Sequence, residues 1–147
     1  LPGYTIMSVT RLTSTTSASR WIWYNASVNQ LCGITASEAA GRIDKAFCGG
    51  TASEGPLSST NWRILGQIKS GASQFLFDAT TDYPSAPAVA ATVTDKIVVG
   101  SYNNQGAYFI GDMAEIVVLD FEASDAIRDQ IAKQFNEDWT VPWSARS

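Results

Sequence analysis

Most of the chain reads as short strands and turns, and an apolar period of about four appears only once, near the C-terminus. The clearest alternation has Trp62, Ile64 and Ile68 on one side and Arg63, Leu65, Gln67 and Lys69 on the other, which predicts a half-buried antiparallel strand. Ser70-Gly71 supplies a turn, and residues 74–78 return as the hairpin partner with Phe75 and Phe77 on one face. Residues 113–119 contain Ile116, Val117 and Val118 in succession, so both faces meet apolar surroundings and an interior strand is expected. Further strands are expected at 4–12, 21–24, 30–35, 44–48, 96–100 and 107–110. The stretches "GGTASEGPLSST" and "TTDYPSAPAVAA" predict surface loops, and "SYNNQG" a tight exposed turn.

The change of period marks a helix. Ile127, Ile131, Phe135 and Trp139 recur every four residues as one apolar stripe, with Arg128, Asp129, Lys133 and Glu137 off it. Ser124 is the expected N-cap, and Asp125 and Asp129 lie near the positive end of the helix dipole. Pro142 lacks an amide hydrogen and restricts Val141, so the helix should stop before it. A lone late helix after a run of strands is expected to pack as a lid on a sandwich flank.

Composition narrows the partners. The 147 residues, 45% hydrophobic and 11% aromatic, suit a single domain with a real core, here taken as residues 1–147. A net charge of -4 with ten scattered Lys and Arg leaves no basic stripe, so nucleic acid is not an expected partner. No apolar run approaches the roughly 20 residues that span a bilayer, so membrane insertion is not expected. The chain begins at Leu1, which is read as a processed product or a piece of something longer. Cys32 and Cys48 are the only cysteines. Either they form a disulfide, contributing about 3 kcal/mol by the chain-entropy argument, or they are two buried thiols.

Three blocks in this order carry a family resemblance: "YTIMSVTRLTS" as an opening strand, "NWRILGQIKSGASQFLFDA" as a Trp-led central hairpin, and "DKIVVGSYNNQGAYFIGDMAEIVVLDFEASDA" leading into the helix. Together they resemble the concanavalin A-like lectin/glucanase superfamily, in the laminin-G-like form found in bacterial and phage surface proteins. The resemblance implies an all-β fold, an antiparallel two-sheet jelly-roll sandwich with one C-terminal α-helix, located extracellularly or on a virion surface. The chain departs from the pattern at Asp78-Ala79, where Asp-Gly is usual, and in starting after the family's upstream first strand. That second departure suggests an open edge completed by a neighbour.

The chain has no histidine, which removes the Ser-His-Asp arrangement and most zinc sites. A two-carboxylate glycosidase would need paired acids, and the nearest approach is Asp112, Glu115 and Asp120. Asp112 and Glu115 are three apart on a strand and face opposite ways, so no enzyme is expected. For binding, Trp21 and Trp23 share one strand face and form either an aromatic platform or core. Tyr102, Asn103, Asn104 and Tyr108, with Gln105, combine ring area with amide chemistry suited to a hydroxyl-rich ligand, or else form a turn rich in Asn and Gly. Asp82 and Tyr83 could complete such a rim. No cofactor is expected; the superfamily permits calcium, but no oxygen-ligand motif is present. These readings converge on a non-catalytic module binding glycan at a cell or particle surface. The alternative is a structural or interaction module of a larger assembly, such as a phage capsid decoration, fibre or tail protein, whose partners are neighbouring subunits in a homo-oligomer or a longer chain.

Overall fold

The computed structural model describes residues 3–15, 20–27, 30–38, 43–49, 51–88, 97–101 and 108–146. Its strands are β1 (Gly3–Leu12), β2 (Arg20–Ser27), β3 (Gln30–Glu38), β4 (Ile43–Cys48), β5 (Ala52–Leu57), β6 (Arg63–Ser70), β7 (Ser73–Asp78), β8 (Ala86–Pro87), β9 (Ile97–Val99) and β10 (Gly111–Leu119). The helix α1 (Asp125–Trp139) follows. Two antiparallel sheets of five strands run in the orders β10-β1-β6-β7-β8 and β5-β4-β3-β2-β9, a jelly-roll sandwich. None of the described helices is long and apolar enough to cross a membrane.

Two apolar layers explain the sequence pattern. Tyr4, Ile6, Leu65 and Leu76 meet Ile22, Trp23, Ile34 and Ala46 between the sheets. On the outer face of the first sheet, Met7, Val9, Ile64, Ile68 and Phe77 meet Ala132, Phe135 and Val141. β1 and β6 are therefore buried on both faces. The expectation of a half-buried β6 is corrected accordingly, since Gln67 and Lys69 are as enclosed as the apolar residues beside them. The two sheets are also stitched by polar side chains. The Gln67 amide donates to Gln74 Oε1 and to the Phe47 carbonyl, each at 2.9 Å, while the Gln74 amide donates to the Ala46 carbonyl at 3.0 Å. A buried amide requires such partners, and here the Phe47 and Ala46 carbonyls supply them from the opposite sheet.

The expected interior position for residues 113–119 is also corrected. β10 pairs only with β1 and forms an edge among the described strands. Its consecutive apolar residues arise because Ile116 packs toward the inter-sheet core and Val117 toward the helix layer, leaving Val118 partly exposed.

A strand was missed within "GGTASEGPLSST": β5 pairs with β4 at the edge of the second sheet. An edge strand tolerates Pro56, and Gly55 is needed because an added Cβ would collide with the Leu76 side chain. Conversely, 108–110 is irregular backbone rather than strand. Cys32 and Cys48 face each other across β3 and β4 and are joined as a disulfide, with Cα atoms 4.0 Å apart.

The helix begins as expected, with the Ser124 hydroxyl accepting from the Ile127 amide, and ends at Thr140 in the left-handed region. Its buried face differs: Arg128, Ala132 and Phe135 are enclosed, whereas Trp139 is half exposed. The indole N–H of Trp139 donates to Glu115 at 2.8 Å.

Candidate functional site

Tyr102, Asn103 and Asn104 lie outside the described residues, and Tyr108 is exposed. Of the two readings of Trp21 and Trp23, aromatic platform or core, the structure gives core, with residual exposures of 7% and 0%. A bulge between them breaks the pairing register, so their expected shared face is lost as well. Trp23 meets Tyr4 edge-to-face in the inter-sheet core, and Trp21 packs on Phe47.

Asp82 and Tyr83 stand in the segment after β7, and each is committed to a neighbour. Both Asp82 oxygens accept from the Arg128 guanidinium, at 2.6 and 2.8 Å, and Arg146 reaches the same carboxylate at 3.3 Å. Burial alone would raise the Asp82 pKa, but these two cations outweigh it and hold the carboxyl below its usual range. Arg128 also pairs with Asp125 and lies against Phe75 and Phe77. Arg146 is tied to Asp129 at 2.7 Å and to the Asp78 carbonyl at 2.5 Å, which fastens the segment after the helix to the end of β7. The Tyr83 hydroxyl donates to Asp78 at 2.6 Å; burial, then that carboxylate, push the phenol pKa upward.

Fastening that segment creates a concave site which no single stretch of sequence announces. A cleft of about 360 Å³ opens between the β5–β6 connection, the β7 end and the segment after the helix. The volume falls within the range of small-molecule sites. Its walls carry the Trp62 and Trp143 rings, with Leu57 and Pro142 as apolar flanks. Ser59, Thr80, Ser144, Arg63 and Asp78 supply polar and charged residues to the rest of the lining.

These polar groups are held in place from behind. Asp44, fully buried, pairs with both terminal nitrogens of Arg63 and accepts from Ser58 at 2.7 Å. Asp78 accepts from the Thr80 and Thr81 amides at 2.8 Å each and from Tyr83. The Arg11 guanidinium sits 4.9 Å from the Trp62 ring centroid and pairs with Asp112. Two donors of this wall, Arg63 Nε and Trp143 Nε1, are buried with no hydrogen-bond acceptor. Only the two tryptophans as isolated aromatics could have signalled the site. Among the described residues, no group of three or more His, Cys, Asp or Glu could hold a metal.

No protein-family model matches the chain, and no curated protein matches it. Solved structures do. Trypanosoma rangeli sialidase, in complex with a difluorinated nononic acid, is similar at TM-score 0.70 and 9% identity over 95% of this chain. A mutant of that sialidase displaying trans-sialidase activity is similar at TM-score 0.68 and 7% identity, again over 95%. The LG4-5 domains of the mouse laminin alpha1 chain give TM-score 0.60 and 17% identity over 83%. The chain spans 23% and 24% of the two sialidase chains and 36% of the laminin chain. The shared feature is the laminin-G-like sandwich. The expectation that the chain is no enzyme is overturned by the sialidases among the proteins that carry this fold.

Proposed function

We propose that this domain is a recognition module that binds glycan at a cell or particle surface, through the cleft between Trp62 and Trp143. The observation that carries the reading is the pairing of two tryptophans with a carboxylate, Asp78, that hydrogen bonds from neighbouring residues pin in place. A sugar presents the complementary surface, with apolar C–H faces that stack on rings and a rim of hydroxyls that need fixed donors and acceptors. The Cys32–Cys48 disulfide supports an extracellular setting, since such bridges persist in oxidising compartments. The laminin likeness supports the recognition role.

The test is retention on a glycan array. Trp62→Ala and Trp143→Ala should each lower retention by about tenfold or more, while Tyr108→Ala leaves it unchanged; an array signal indifferent to both tryptophans would refute the site.

The exposed side of β10 favours a second reading, docking of a neighbouring subunit. That edge carries Val118, with Phe121 and Trp139 also exposed. Sedimentation tests it: a concentration-dependent dimer abolished by Val118→Lys supports subunit docking, and a monomer at all concentrations removes it.

A further inference from the structure

The geometry points to an uncharged saccharide as the ligand of the Trp62–Trp143 cleft, with acidic sugars excluded; this rests on the glycan reading above. The charged groups of the lining decide it. Arg63 is the lining's cation, and it is already neutralised: its terminal nitrogens are committed to Asp44, whose carboxylate is fully buried behind the wall. With its terminal nitrogens held end-on by Asp44 and its Nε buried, Arg63 offers a ligand carboxylate no accessible pair of parallel N–H donors, the arrangement that binds it well.

Asp78 remains as a carboxylate at the cleft; its side-chain oxygens accept from the Thr80 and Thr81 amides and the Thr80 and Tyr83 hydroxyls, all neutral, and Arg146, which donates to the Asp78 carbonyl, is itself paired with Asp129 and Asp82. Taken together, Arg63, Asp44 and Asp78 leave one negative charge at the wall. A sugar carboxylate entering the cleft meets that charge in a partly desolvated setting, where like charges repel more strongly than in water. A neutral sugar loses nothing to it. One hydroxyl can donate to Asp78 Oδ2 beside Tyr83, and the C–H faces meet the indoles.

The experiment is a retention panel at low salt. Glucose-, galactose- and N-acetylglucosamine-terminated oligosaccharides are compared with glucuronate- and sialate-terminated ones of equal length. Neutral probes should bind about tenfold or more tightly than their acidic counterparts. Equal or tighter binding of the acidic set overturns the inference and leaves the glycan reading standing. Failure of every saccharide in both sets removes the glycan reading, and the inference with it. A second variant tests the electrostatic cause directly. Ser144→Arg places an unpaired cation on the exposed rim, and the acidic-to-neutral binding ratio should rise several-fold; an unchanged ratio would show that charge does not set the preference.

Discussion

The Arg128 guanidinium holds both oxygens of the Asp82 carboxylate across 46 residues of sequence, joining the helix to the loop after β7. The arginine side chain is 3% exposed and the aspartate 38%, so the two ends differ in what their loss costs. Asp82→Ala leaves the buried Arg128 with Asp125 alone and should destabilise the fold by about 1–3 kcal/mol, below the range for a fully broken buried pair because Asp125 remains and Asp82 is partly solvated. Arg128→Met keeps apolar contact with Phe75 and Phe77 and leaves Asp82 to Arg146 and water, so its cost should stay within about 1 kcal/mol. Urea midpoints measure both; equal losses would contradict the asymmetry.

The same carboxylate sets an acid limit. Its folded pKa is depressed, so its stabilisation is fully present above the unfolded aspartate value, about 3.9, and is lost as pH falls through the folded value. The stability gap between the wild type and Asp82→Asn should be full at neutral pH and close as the pH falls below the unfolded aspartate value. A gap that persists at the acid end would assign the effect to shape rather than charge.

Reduction of the Cys32–Cys48 bridge should lower unfolding stability by about 3 kcal/mol, since it closes a loop with a sequence separation of 16. The oxidised native protein should give no reaction with a thiol reagent until reductant is added. Prompt labelling without reductant would refute the bridge.

Thr140 caps the helix at φ 56 and ψ 32, a conformation costly for a β-branched residue, while its amide donates to the Asn136 carbonyl at 2.9 Å. Thr140→Gly should stabilise the protein by about 0.5–1 kcal/mol, relief of strain exceeding the added freedom of the unfolded chain. Thermal unfolding reads the sign, and a lowered midpoint would contradict it.

The helix and the β6–β7 hairpin were legible because their periods are local properties of the chain. Arg128 was not, since charge normally marks the solvent side, and only the distant Asp82 with the Phe75 and Phe77 faces explains its burial. β5 was hidden by Gly55 and Pro56, residues that mark loops unless an edge position and a close approach to Leu76 call for them. The separate faces of Trp21 and Trp23 were not legible, because a bulge inserts into strict alternation without a sequence sign. The cleft was illegible for a topological reason: Trp62, Asp78 and Trp143 come from three separate segments that meet only after the last segment is fastened through Arg146.

The most direct test of glycan recognition is a heteronuclear NMR titration of the oxidised protein with the best-retained neutral oligosaccharide. The indole N–H signals of Trp62 and Trp143 and the amides of residues 78–80 should shift together along one binding curve, while those of Trp21 and Trp23 stay fixed. Shifts confined to another surface, or none at saturating sugar, would contradict the account.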